Sequence, residues 1–312
     1  MSPPTLGSVG STHRPPAVAG AFYPAAPQRL RELVASQLAE AVRRSASSAT
    51  SRPDLGSPLG ILVPHAGLQY SGIVAATAWR LIGAAGAPEG PPTIVVLGTN
   101  HRAAWLDGIG IWDRGAWHTP IGDVPVDAHL AAEIAALGPP FVADREAHLE
   151  EHSIEVQLPF VRTVSTDASI VPLAVSTGIG PPAVEAGRRL GELLLTRRVS
   201  DPRLVIVISS DMAHYPSATD AAAVTSLLLP AITHLDPADL AAREVSLRER
   251  AAMGRGLRSL ACGMCGIEPT VVGLAALHAL GASRGTVLAS ATSADAGGPP
   301  DRTVGYLAAR FD

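Results

Sequence analysis

Residues 203–215 read RLVIVISSDMAHY. Apolar residues run without a break from Leu204 to Ile208, then give way to Ser-Ser-Asp. A short apolar run without polar alternation predicts a strand buried on both faces. Such strands belong to parallel sheets covered by helices. LGILVP (59–64), TIVVLG (93–98) and SIVPLAV (169–175) have the same form. Helical patterns are expected at 31–44, 71–86, 126–137, 181–198, 236–253 and 269–282. Asp127 lies near the start of one, and Asp236 with Pro237 opens another. GTVLASATS (285–293) and TVGYLAARF (303–311) close the chain as strands. The alternation predicts an α/β fold: a single three-layer α/β/α domain over 1–312 around a central, mostly parallel sheet. Residues 1–13 and the Ser/Pro-rich stretch 45–58 are expected to be poorly ordered.

Composition narrows the chemistry. All 24 basic residues are Arg, which excludes a Schiff-base or P-loop lysine. A net charge of -4 and 4% aromatic residues give no footprint for nucleic acid. The longest apolar runs fall far short of the ~20 residues of a membrane span. The first 16 residues lack the pattern of a signal peptide, so the expected location is cytoplasmic. Two Cys, three residues apart, make no disulfide framework.

The chemistry-bearing residues share one position type. His65 follows the strand at 59–64, His101 the strand at 93–98, and Asp211 and His214 the strand at 203–210. Strand carboxyl ends line the ligand crevice of an α/β sheet. If these strands are parallel neighbours, the four side chains meet at one edge. Pro64 ends its strand, and Ser71 is placed to cap the following helix. Arg102 beside His101 favours a neutral imidazole; alternatively Arg102 binds an anion and His101 is a spectator. His152 lies among Glu150, Glu151 and Glu155. Those carboxylates would raise its pKa and make a proton donor, or they are the acidic first turn of a helix. Ser210, Asp211 and His214 could be parts of a hydrolase triad, but no G-x-S-x-G elbow surrounds the serine. Cys262-Gly-Met-Cys265 is half a zinc site, a redox pair or two small buried residues. The helix after it would aim its N-terminus at the loop and lower a thiol pKa. His65, His101 and one Cys would make a His₂Cys set suited to Zn, Cu or Fe(II).

Seven segments in order carry a family resemblance: RPPAVAGAFYP (14–24), VPHAGLQYSG (63–72), VVLGTNHRA (95–103), TPIGDVPVD (119–127), EEHSIEVQLPF (150–160), SSDMAHY (209–215) and CGIEP (265–269). Together they resemble the Memo family, also called AmmeMemoRadiSam system protein B. The resemblance implies a fold like the LigB-type class III extradiol dioxygenases, which hold Fe(II) on two His and a carboxylate. In the Memo family a Cys replaces the carboxylate. The implied metal ligands are therefore His65, His101 and Cys265, with Fe(II) first and Cu or Zn as alternatives. His214 matches the dioxygenase acid/base His, and Asp211 and His152 would share its pocket. Tyr70, Arg102 and Tyr215 would contact substrate. Arg102 stands where the family usually has a second His. Cys262 would be a spare ligand or an oxidation partner of Cys265.

Three functions follow as expectations. One is a metal-dependent, dioxygenase-like redox protein acting on a small molecule, in a pathway shared with AMMECR1-like and radical SAM proteins. Another is a peptide- or anion-binding module using Arg102 and two exposed cleft residues, Trp105 and Trp117. The third is an iron- or copper-buffering protein.

Overall fold

The computed structural model describes residues 12–46, 56–83, 90–254, 257 and 259–312. The stretches expected to be poorly ordered lie mostly outside these residues.

The main chain runs from a short strand, β1 (His13–Arg14), into α1 (Pro27–Ala46), β2 (Gly60–Val63), α2 (Leu68–Gly83) and β3 (Thr93–Thr99). There follow β4 (Gly108–Ile111), β5 (Ala116–Trp117), β6 (Val124–Pro125), α3 (Ala128–Ala135) and β7 (Phe141–Ala143). Next come α4 (Leu158–Val164), β8 (Ser169–Ser176), α5 (Pro181–Arg197) and β9 (Val205–Ser209). The chain closes with α6 (Ala218–Thr233), α7 (Pro237–Ala252), α8 (Ile267–Leu280), β10 (Gly285–Thr292) and β11 (Gly305–Phe311).

Among the described residues, eight strands form one sheet in the order β10-β11-β2-β9-β3-β8-β4-β7. Its centre, β2-β9-β3-β8, is parallel throughout. β10 and β11 close one side antiparallel, and β4 pairs antiparallel with β8 on the other. The apolar runs are continuous because each strand feeds two cores. Ile94 and Val96 face one core, Val95 and Leu97 the other; Val205 and Val207 alternate likewise with Ile206 and Ile208. Residues of α1, α2 and α4 cover one face, and residues of α3, α5, α6, α7 and α8 the other. This is the expected three-layer arrangement around a mostly parallel sheet.

Several local expectations shift. Helix α2 starts at Leu68, one residue past Gly67, so Ser71 does not cap it; the Ser71 hydroxyl lies within the helix and donates to the Ala66 carbonyl. The expected end of that helix, 84–86, lies outside the described residues. Asp127 and Asp236 do cap α3 and α7, accepting from Leu130 N–H and Asp239 N–H. Helix α6 was not expected. Ser217 caps it and Pro230 sits inside it, which masks its periodicity. The short strands β1, β5 and β6, which form a separate three-stranded sheet, also carry too few residues to show a period. No helix among the described residues is long and apolar enough to cross a membrane.

Helices α5 and α8 touch backbone to backbone. A side chain at Gly187 would run into the Val272 carbonyl, and one at Gly191 into the Ala276 carbonyl. Backbone atoms cannot swing aside, so the two glycines set how closely α8, which follows Cys265, approaches α5. Gly191→Val should cost at least the ~1–3 kcal/mol of an overpacked core. A clearly lowered melting temperature in a thermal scan is the expected outcome; an unchanged one would show that the helices can separate freely.

Candidate functional site

Three neighbouring parallel strands release their functional side chains at the same offset. His65 lies two residues past Val63, His101 two past Thr99, and Asp211 two past Ser209. Because β9 lies between β2 and β3, these side chains emerge side by side. Cys265 reaches them from the loop before α8. Its N–H donates to the Asp211 carbonyl (3.2 Å), and Gly266 N–H donates to Ser210 Oγ (2.9 Å). Cys265 Sγ comes to 3.2 Å from His65 Nε2. His65 and His101 meet edge to face at 5.4 Å between ring centres, and His152 stacks on His101 at 4.7 Å. One donor atom each from His65, His101 and Cys265 lies within 4.8 Å of the other two. The sets Asp211, His214, Cys265 and His101, Glu151, His152 meet the same limit.

Glu151, which is fully buried, organises this edge. Its carboxylate accepts from the N–H groups of His101 (2.6 Å), His152 (2.8 Å) and Ser153 (2.8 Å), and from His101 Nδ1 (2.9 Å). Burial alone would raise its pKa. The His101 ring hydrogen bond, the charges of His101 and His152 and the Ser153 N–H outweigh that and hold it well below the usual carboxylate range. An ionised carboxylate only accepts, so His101 Nδ1 carries a proton and donates it. In the neutral ring this leaves His101 Nε2 as the free donor atom, the arrangement in which a carboxylate orients a metal-binding histidine.

Burial also overrides the charge effects expected from sequence. His152 is pushed down to about 4, burial outweighing the pull of Glu151. Burial thus opposes the proton-donor role that its acidic neighbours suggested. His214 also falls to about 4, through burial and then the charge of His101. Its Nε2 stands 3.9 Å from Asp211 Oδ2, beyond hydrogen-bond reach. Asp211 is pushed up to about 7 by burial, although His65 N–H and Ala66 N–H donate to Oδ1. So Asp211, rather than His214, titrates near neutrality. The Cys265 thiol is driven well up by burial and then by the charge of Asp211. The start of α8 just beyond it does not lower it as expected. Cys262 is pushed up to about 12 by burial and by Glu244, and belongs to none of the three donor sets.

The cavity over these residues measures about 530 Å³. Besides the three histidines, Asp211, His214 and Cys265, its wall includes Phe22, Tyr70, Tyr215 and Tyr306. Tyr70 and Tyr215 thus stand where substrate contact was expected. Arg102 does not line the cavity; it is exposed, and its N–H is held by Asn100 Oδ1. Nor do the two tryptophans. Trp105 is exposed and donates to Asp144, whereas Trp117 is fully buried under the Arg14 guanidinium. Ser210 Oγ donates to the Asp211 carbonyl and accepts from Gly266, so Ser210 is not poised as a nucleophile for His214.

Phe22 was not foreseen as a wall residue. It arrives on the segment 15–23, which Glu155 ties down. That buried carboxylate accepts from Ala17 N–H (2.8 Å), Val18 N–H (2.9 Å), the Tyr23 hydroxyl (2.5 Å) and Arg14 (2.6 Å). Glu151 and Glu155 were visible only as charges near His152; no local signal marks their distant partners.

His148, buried against Trp112 and Trp117, is a third histidine lowered to about 4, again by burial. Below the ordinary value of 6.5 the unfolded chain therefore binds more protons than the folded one. The stability these rings contribute should be full above that value and fall as the pH drops toward about 4, offset in part by Asp211, whose raised carboxyl titrates in the opposite sense. Urea midpoints across this range test it, and His148→Gln should make the decline shallower. A pH-independent midpoint would contradict the neutral burial of these rings.

The chain resembles other proteins along most of its length. A family model described as "Memo-like protein" matches residues 14–310. A "MEMO1 family protein" of Methanopyrus kandleri is 33% identical over 300 residues, 96% of this chain and 98% of its own. One from Aquifex aeolicus is 34% identical over 300 residues, with the same coverage. Among solved structures, an uncharacterized protein, JW3007, from Escherichia coli K12 has a TM-score of 0.50 at 16% identity, covering 81% of this chain and 99% of its own; that likeness concerns the fold alone. A match that runs from the strand bearing Arg14 to the last strand of the sheet takes in every residue of the site, and this chain belongs to the Memo family.

Proposed function

We propose that His65, His101 and Cys265 bind a transition metal and that the cavity above them carries out redox chemistry on a small oxidisable molecule. The observation that carries the reading is the donor set itself: two imidazoles and a thiol converging within 4.8 Å at the floor of a cavity, one imidazole already oriented by a carboxylate. Two nitrogens and one sulfur suit Fe(II), Cu or Zn; the likeness to the LigB-type dioxygenases puts Fe(II) first. The bound ion would supply a redox centre with open coordination positions.

The protein's own groups divide the remaining work. Glu151 aims His101. Phe22, Tyr70, Tyr215 and Tyr306 offer apolar surface and keep water from the substrate. Asp211, with a carboxyl near 7, can hold or release a proton at Oδ2, the oxygen not held by the His65 and Ala66 N–H groups. His214 is neutral at that pH and serves as a proton acceptor. An anion-binding module is less favoured because Arg102 lies off the cavity wall. A buffering role shares the metal site and differs in turnover: oxygen uptake with a reduced substrate supports the enzyme, and metal binding without turnover supports buffering.

Anaerobically purified protein should carry about one equivalent of metal per chain, with iron first. His65→Ala, His101→Ala and Cys265→Ala should each lose it by elemental analysis. Metal retained in all three variants would overturn the reading. Because burial holds the Cys265 thiol protonated, metal uptake should release a proton from it. Affinity should therefore rise about tenfold per pH unit around and above neutrality. A chelator-competition series against pH measures this slope, and a flat profile would exclude the thiol as ligand.

A further inference from the structure

We infer that a buried hydrogen-bond chain, Trp79–Gln157–Ser209, sets which nitrogen of His65 carries its proton and so presents a bare Nε2 to the cavity. The inference rests on the metal reading for its consequence, but not for its geometry. All four side chains are buried, between 0% and 1% exposed.

The direction of each bond follows from groups that can act in only one way. An indole N–H only donates, so Gln157 must turn its carbonyl oxygen to Trp79 Nε1, at 3.0 Å. Its amide nitrogen then faces the Pro64 carbonyl (2.9 Å) and Ser209 Oγ (3.0 Å) and gives one proton to each. The Pro64 carbonyl, which only accepts, agrees with this orientation. Ser209 Oγ therefore receives a proton from Gln157. Its own proton goes to the Ser153 carbonyl at 2.6 Å, a group that again only accepts. His65 Nδ1 stands 3.1 Å from the same oxygen. With its single proton already committed, the hydroxyl can only accept there. His65 Nδ1 must donate, and the neutral ring keeps its lone pair on Nε2.

That lone pair points at Cys265 Sγ, 3.2 Å away. The chain disfavours the other neutral tautomer, which would carry its proton on Nε2 and block it. His101 reaches the same tautomer through Glu151, a charged acceptor. His65 reaches it through neutral groups, ending on a tryptophan in α2 on the far side of its own strand. Trp79, Gln157 and Ser209 are positioning residues: they touch neither the cavity nor the donor atoms, and act through the ring.

The test separates tautomer from metal. In metal-free protein, two-bond ¹⁵N–¹H correlations of the histidine rings should show His65 protonated on Nδ1 alone. Ser209→Ala, a small change at a buried position, should remove the acceptor and populate the Nε2–H form. Trp79→Phe keeps an aromatic ring and removes the N–H; because the Pro64 carbonyl still fixes the Gln157 amide, it should mix the tautomers less than Ser209→Ala does. Zn(II) affinity, read by chelator competition, should fall about 10–100-fold in Ser209→Ala, the range for loss of a partner that orients a metal-binding histidine. An Nε2–H tautomer in the parent protein, or an Nδ1–H tautomer unchanged in Ser209→Ala, overturns the inference. A parent that binds no Zn(II) yet shows the tautomer lost in Ser209→Ala supports the chain and overturns the metal reading alone.

Discussion

A carboxylate sealed from water must fill its lone pairs from the protein, and the segment 151–157 meets that constraint twice. Glu151 draws in the backbone and ring of His101. Glu155 draws in Arg14, Ala17, Val18 and Tyr23. Arg14 completes the link by donating from its other nitrogens to the carbonyls of His148 and Glu151. Breaking a buried pair of this kind leaves a charge without a partner and typically costs ~3–5 kcal/mol. The cavity floor and its Phe22 wall thus hang on two acids four residues apart in one loop.

The same burial sets the electrostatic character of the site. Sequence neighbours suggested a charged His152 and an activated thiol. The folded site instead favours neutral rings and a protonated sulfur, because removing charge from water outweighs single attractive partners. Neutral imidazoles with directed lone pairs are what a metal requires, and a proton-bearing thiol makes binding sensitive to pH. Glu151 and the Trp79–Gln157–Ser209 chain then solve one problem by two routes: an ionised acceptor for His101, and a neutral chain of fixed direction for His65.

Much of this was readable from the chain. Unbroken apolar runs identified the four central strands, and the placement of His65, His101 and Asp211 just past three of them pointed to a shared edge. Seven ordered motifs pointed to the Memo family. Other features were not legible. Helix α6 hides behind an internal proline. Ser71 looks like a cap until Gly67 is seen to end the loop one residue before the helix. Arg102 and Trp117 look like site residues by position, yet one faces solvent and the other supports Arg14.

Strand identity, helix caps at Asp127 and Asp236, and the placement of imidazoles at strand ends were determined by sequence alone, because each follows from neighbours within a few residues. The direction of a side chain, the protonation of a buried ring and the pairing of Arg14 with Glu155, 141 residues later, were decided only by tertiary structure. Those properties depend on which groups from distant segments replace water around a polar atom, and no local pattern encodes that choice.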